Sequence, residues 1–152
     1  MDPSDGRPGP LLEQEDLYRV LFEQAADPMY LIDPATGRFL DANDIAFRVT
    51  GWSREELLGM TFRELHDPGD AALLDSIEPR LREQGRIRLA GVSQRRRDGT
   101  LLPVELSLSR LEAGDRVYGF VVAHDITQRL REAEQLQSQA AALAEAKGFL
   151  EA

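Results

Sequence analysis

The chain of 152 residues contains no cysteine, one tryptophan and only two histidines. Without a thiol there is no disulfide framework, Cys-ligated zinc, iron–sulfur cluster, attached c-type haem, thiol nucleophile or chromophore held through a thioether. Catalytic patterns are also missing: no nucleophile stands beside a base in a recognised motif, and no His/Asp/Glu spacing matches a metal centre. No run approaches the roughly 18 to 20 consecutive apolar residues of a membrane span. The opening Met1-Asp2-Pro3-Ser4-Asp5-Gly6 lacks the basic and apolar regions of a signal peptide. Basic charge is scarce, with 18 Lys+Arg against 27 Asp+Glu and a net charge of -9. Nucleic acid and membrane surfaces, both polyanionic, are therefore not expected partners. These absences leave a cytoplasmic, non-enzymatic protein, with one domain and an appendage, because a chain this long buries roughly 70% of its unfolded surface around one core.

What is present divides the chain into three parts. Residues 1–14 are rich in Pro, Gly and Asp, too polar to offset the entropy of ordering, and are expected to form a disordered arm. Leu17, Val20 and Leu21 then fall at i, i+3, i+4, an amphipathic helix that ends before Pro28. Two short β-type runs, 29–33 and 38–41, flank Pro34-Ala35-Thr36-Gly37 and read as a hairpin. Small helices follow at 43–50 and 53–58, the second opened by a capping box of Ser53 and Glu56. Gly51 and Gly59 are expected at tight turns between them. A longer helix starts at Asp67-Pro68 and carries the apolar stripe Leu73, Leu74, Ile77 and Leu81, with Pro79 expected to bend or split it.

After Gly85 the period changes from helix to strand. Ile87, Leu89 and Gly91 alternate with Arg88 and Ala90, and Arg97-Asp98-Gly99-Thr100 supplies a turn. Leu102, Val104, Leu106 and Leu108 then alternate with polar residues, which predicts one buried face. Residues 117–126 are apolar on both faces, as in a central strand. The tail, 128–152, reads as one helix with Leu136, Leu143 and Leu150 seven apart and Ala133 and Ala140 between them. That is a short heptad seam, which needs a partner helix, most simply from a second copy.

Six phrases occur in one order over a single domain length: Asp33-Pro34-Ala35-Thr36-Gly37-Arg38, Asp41-Ala42-Asn43, residues 50–59 beginning Thr50-Gly51-Trp52, Leu65-His66-Asp67-Pro68, Arg96-Arg97-Asp98-Gly99-Thr100 and Asp125-Ile126-Thr127. With this order of elements, residues 15–127 resemble a PAS domain, the sensing module of many signalling proteins. The resemblance implies an α+β fold: a five-stranded antiparallel sheet with short helices over one face, an N-terminal cap helix and a C-terminal coiled-coil helix. It also implies that Asn43 fastens the first hairpin to the following helix.

Members of this family bind flavins, haem, metabolites or nothing, so the ligand must be argued from the pocket. The adduct-forming cysteine of blue-light flavin relatives would fall near Phe62, which excludes covalent flavin. Haem relatives use a histidine on the long helix, and residues 68–84 contain none, which argues against b-type haem. His66 precedes that helix in a phrase common to relatives without haem, and His124 is read as packed or exposed. Redox-sensing flavin relatives often carry a Trp where Arg88, Leu89 and Ala90 stand, which weakens noncovalent flavin and leaves it open. The apolar set Phe47, Trp52, Phe62, Leu74, Ile77, Leu81, Leu89, Val104, Leu106, Val121 and Ala123 suits either a small apolar or amphipathic ligand or a packed core.

In the family, Asp125-Ile126-Thr127 marks the junction between core and signalling helix, with Asp125 pairing to a basic residue in the preceding hairpin, here Arg96 or Arg97. Thr127 can cap the helix, and Asp125 suits its positive end. A homodimer is expected through Leu17, Val20 and Leu21 of the first helix and Leu136, Ala140, Leu143 and Leu150 of the last. Residues 148–152 echo 20–25, as if a further domain followed. The resemblance implies a sensory and dimerisation module of a bacterial signal-transduction protein of the sensor histidine kinase type, with an output domain elsewhere in the parent chain. A diguanylate cyclase parent and a ligand-free structural dimeriser are the alternatives.

Overall fold

The computed structural model describes residues 14–151, and for Gln14 and Glu151 the backbone alone. The expected arm lies outside this range, apart from the backbone of Gln14. The order of elements is α1 (Gln14–Gln24), β1 (Met29–Ile32), β2 (Phe39–Ala42), α2 (Asp44–Thr50), α3 (Arg54–Leu58), a 3-10 turn (Pro68–Asp70), α4 (Ala71–Asp75), α5 (Ile77–Gln84), β3 (Arg86–Arg95), β4 (Leu101–Ala113), β5 (Arg116–Asp125) and α6 (Thr127–Glu151). The strands form one antiparallel sheet in the order β2-β1-β5-β4-β3.

Period-two alternation sets which face each strand buries. In β4, Leu102, Val104, Leu106 and Leu108 are all buried, and β5 lies between β1 and β4 with Val121 and Ala123 against the same core. Tyr118, Phe120 and Val122 on the other face of β5 are half-buried. Each fully buried Leu or Val contributes about 1.5–3 kcal/mol, so this strand pair carries much of the stability. The short helices pack over the inner face, while α1 crosses the outer face and anchors itself by Phe22, which is buried and stacks on Tyr18 at 5.2 Å.

Side-chain caps fix the first two short helices, α2 and α3. Asn43 accepts from the Ala46 N–H ahead of α2, and both halves of the Ser53–Glu56 capping box form ahead of α3. Gly51 has φ +80, the left-handed conformation expected at this turn. Gly59, by contrast, has φ -88, a value any residue adopts, so tight turning does not require glycine there.

Three local expectations are corrected. The long helix is divided at Ser76 rather than at Pro79, because Pro79 falls in the first turn of α5, where its missing N–H has no partner to lose. Leu73 leaves the buried stripe and is 42% exposed, while Leu74, Ile77 and Leu81 remain buried. Gly91 does not continue the inward alternation of Ile87 and Leu89. It is exposed at φ +83 inside a bulge: three steps along β3, from Leu89 to Val92, oppose two along β4, from Leu106 to Val104. Beyond the bulge Val92 and Gln94 face inward.

Candidate functional site

The inner face of the sheet gathers the whole apolar set named from the sequence. Phe62, Leu74, Ile77, Leu81, Leu89, Val104, Leu106, Val121 and Ala123 are buried in one cluster, with Phe47 and Trp52 partly buried against it. Trp52 also has a polar role. Its indole N–H donates to the Arg95 carbonyl at 2.9 Å and its ring faces the Arg95 guanidinium at 5.1 Å, tying the α2–α3 loop to the end of β3.

Inside this apolar shell lies a polar group that sequence reasoning did not assemble. Tyr30 and Gln94 are fully buried and His66 is 1% exposed. The Tyr30 hydroxyl donates to Gln94 Oε1 at 3.3 Å, spanning the sheet from β1 to β3. His66 and Gln94 are antiparallel bridge partners, so their side chains leave the backbone on the same side. Two backbone hydrogen bonds fix this pairing, Asp67 N–H to the Ser93 carbonyl and Arg95 N–H to the Leu65 carbonyl. An aromatic series, Tyr30–Phe39–Phe62–His66, joins the ends, with Phe62 and His66 ring centroids 4.5 Å apart.

The chemistry of His66 follows from its surroundings. Nδ1 lies 2.7 Å from the Phe62 carbonyl, which can only accept, so Nδ1 carries the proton. Burial pushes the imidazole pKa down to about 4, against the opposing effects of the Phe62 carbonyl and Asp70. The ring is therefore neutral near pH 7, with a lone pair on Nε2. Burial also raises the Tyr30 phenol, which stays a donor. Two atoms of this group have no hydrogen-bond partner, His66 Nε2 and Gln94 Nε2.

The junction begins where the central strand ends. A single residue, Ile126, separates β5 from α6, and it is buried, with its N–H donating to the Pro103 carbonyl of β4. Asp125 Oδ1 accepts from the Thr127 N–H at 2.8 Å, so Asp125, rather than Thr127, caps α6. Burial acts to raise the Asp125 pKa, yet Thr127, Arg96 and His124 hold it below the usual carboxylate range. Neither candidate arginine forms a direct ion pair with Asp125 among the described residues. Arg97 pairs with Glu56 of α3 at 3.0 Å, and Arg96 donates to Thr100 Oγ1 within its own turn. A contact not foreseen from the sequence supplies the cross-brace: Arg129 of α6 pairs with Glu105 of β4 at 3.2 Å. Glu105 sits among the polar positions of an alternating strand, which marked it as outward-facing and nothing more.

At the other end of the chain, buried Asn43 makes four hydrogen bonds. It accepts from the Met29 and Ala46 N–H groups and donates to the Phe22 and Asp27 carbonyls. Leu17, Val20 and Leu21 of α1 remain exposed, and beside Leu21 an apolar groove of about 320 Å³ runs between Tyr18, Met29, Leu111 and Phe120. Along α6, Leu136, Leu143 and Leu150 are 67%, 72% and 84% exposed, and Ala140 is exposed between them. Both candidate interfaces are thus uncovered in the single chain. No helix among the described residues is long and apolar enough to cross a membrane.

A five-stranded antiparallel sheet, short helices over its inner face and a helix leaving its central strand define a sensory-domain architecture. The family model of the PAS fold matches residues 16–126, and the chain belongs to the PAS family. It is 30% identical over 121 residues to a methyl sulfide methyltransferase-associated sensor of Methanosarcina acetivorans, a match covering 78% of this chain and 12% of that protein. It is 28% identical over 133 residues to the sensor protein FixL of Bradyrhizobium diazoefficiens, covering 85% of this chain and 26% of that protein. Among solved structures, a domain of a sensory box sensor histidine kinase/response regulator from Geobacter sulfurreducens is similar, with a TM-score of 0.64 and 28% identity over 74% of this chain and 94% of that one. The chain therefore spans about an eighth and a quarter of the two curated relatives.

Proposed function

We propose that this chain is the sensory and dimerisation module of a signal-transduction protein, and that the state of its interior is relayed through Asp125-Ile126-Thr127 to a parallel two-stranded coiled coil. The observation that carries the reading is the continuity at the junction. The central strand bears the inner-face residues Val121 and Ala123 and passes through one buried residue into a 25-residue helix whose leucine seam is open to solvent. A shift in the sheet thus acts directly on the start of α6, and a pair of such helices is a two-state element that a small displacement can bias. A sensor histidine kinase is the favoured parent over a diguanylate cyclase, since the similar proteins include a sensor histidine kinase domain and dedicated sensors.

A second reading has its own observation. The eleven apolar candidates pack against one another, which suits a ligand-free structural dimeriser. Both readings require the coiled coil, and the absence of native cysteine makes it simple to test. Under mild oxidation Ala140→Cys, on the seam, is expected to give a disulfide-linked dimer, while Ser138→Cys, on the opposite side of the helix, stays largely monomeric. Equal linkage at the two positions, or none at either, would remove the parallel coiled coil from the proposal.

A further inference from the structure

Of the two histidines in the chain, His66 is buried and neutral, while His124 stands near the end of β5, directly before the junction motif, with 54% of its side chain exposed. Its Nδ1 lies 3.2 Å from Asp27 Oδ1, in the link between α1 and β1. A carboxylate only accepts, so Nδ1 carries the proton of the neutral ring and Nε2 is where a further proton lands. Asp27 is held in place by its backbone. Its carbonyl accepts from the Asn43 side chain, and the following carbonyl, of Pro28, accepts from the Ala123 N–H beside His124.

Charged groups reach this corner from each element that meets there. Asp27 faces His124 from the α1–β1 link, Glu105 is its cross-strand partner on β4, and Asp125 follows it on β5. Glu105 lies 3.2 Å from Arg129 of α6 and 3.9 Å from Arg88 of β3, and Arg96 of the β3–β4 turn attracts Asp125. Glu105 and Asp125 are also the carboxylates that hold the first turn of α6. A positive charge on the ring therefore draws Asp27 closer and competes with Arg129 for Glu105, since opposite charges on paired strands attract. Histidine is the side chain suited to such a change between pH 5 and 8. Asp125, held below the usual carboxylate range, stays ionised throughout, and His66 stays neutral.

We propose that His124 is a proton-binding site that joins the end of α1 to the start of α6: a proton taken up at Nε2 tightens the contact with Asp27, loosens Arg129 on Glu105 and reseats the first turn of α6. The module thereby gains a second input, acidity, that does not pass through the interior. This input goes beyond the sensing reading. Proton uptake and the response of α6 are read within one chain, whereas relay to a coiled coil is read between two copies, so either can fail alone.

The test follows the ¹⁵N-labelled chain by NMR from about pH 8 to about pH 5.5, across the range in which histidine changes charge. Two amides report: Leu130, which donates to the Ile126 carbonyl in the first turn of α6, and Gln24, the last residue of α1. Both are expected to shift with the midpoint of the His124 ring, and His124→Gln should remove the step from both. Asp27→Asn, which keeps the shape and removes the charge, should lower the midpoint by about half a pH unit, as for a solvent-screened pair. Glu105→Gln should silence the step at Leu130 and leave that at Gln24. A His124 titration felt only by residues 123–125 overturns the proposal. So does a midpoint that Asp27→Asn leaves unmoved, or a step at Leu130 that survives both His124→Gln and Glu105→Gln.

Discussion

His66 is a histidine whose burial decides its charge. In the folded chain its pKa is about 4, below the ordinary 6.5, so between these values the unfolded chain binds a proton that the folded chain refuses. Stability from this group is complete above pH 6.5 and is lost as pH falls toward 4, by on the order of 3 kcal/mol. His66→Phe should flatten that part of the stability profile in urea melts at pH 4 to 7, and an unchanged slope would mean that His66 is hydrated in the folded state. None of this was legible in the sequence, where His66 could be judged only as an iron ligand and set aside. The inward turn of Gln94 depends on the extra residue at Gly91. A glycine inside an alternating strand is a bulge signal that could have been weighed, though not its exact register.

At the scale of elements, regular alternation and caps were readable and long-range polar contacts were not. Period two in β4 placed Leu102, Val104, Leu106 and Leu108 correctly, because one buried face imposes that pattern whatever lies opposite. The division of the long helix was foreseen but misplaced, since a proline is tolerated in a first turn and the chain used that freedom. Asn43 was read as a cap and fastener, while its bonds to the Phe22 and Asp27 carbonyls, which hold the end of α1, required the folded structure. Asn43→Ala removes four hydrogen bonds at a buried position and should cost about 2–4 kcal/mol. Hydrogen exchange should then show α1 opening while β4 and β5 stay protected. Equal loss of protection in all three would show that Asn43 supports the core as a whole and not α1 in particular.

For the whole molecule, the apolar set read from the sequence falls within or against the observed core, because both follow from which faces are hydrophobic, while Tyr30, Phe39, Leu57 and Leu65 join that core without having been in the set. A sequence pattern cannot say whether such a set encloses a ligand. The same holds for the junction. Its motif could be read directly, yet the braces that hold α6 to the sheet are the Asp125 cap, the Ile126 N–H and the Glu105–Arg129 pair rather than an arginine on Asp125. An exposed ion pair of this kind contributes about 0 to 1 kcal/mol, so its importance lies in the angle at which the helix leaves. The central claim is that the interior and the paired α6 helices are coupled through Asp125. Spin labels attached at Ser138→Cys measure the distance between the two helices directly, with the interior intact and with Val121→Ala opening a gap under the central strand. The account predicts a distance distribution that moves with Val121→Ala, and one that no longer moves when Asp125→Ala is introduced into a chain that remains folded and dimeric. A distribution indifferent to Val121→Ala, or one that moves equally in the Asp125→Ala chain, would contradict it.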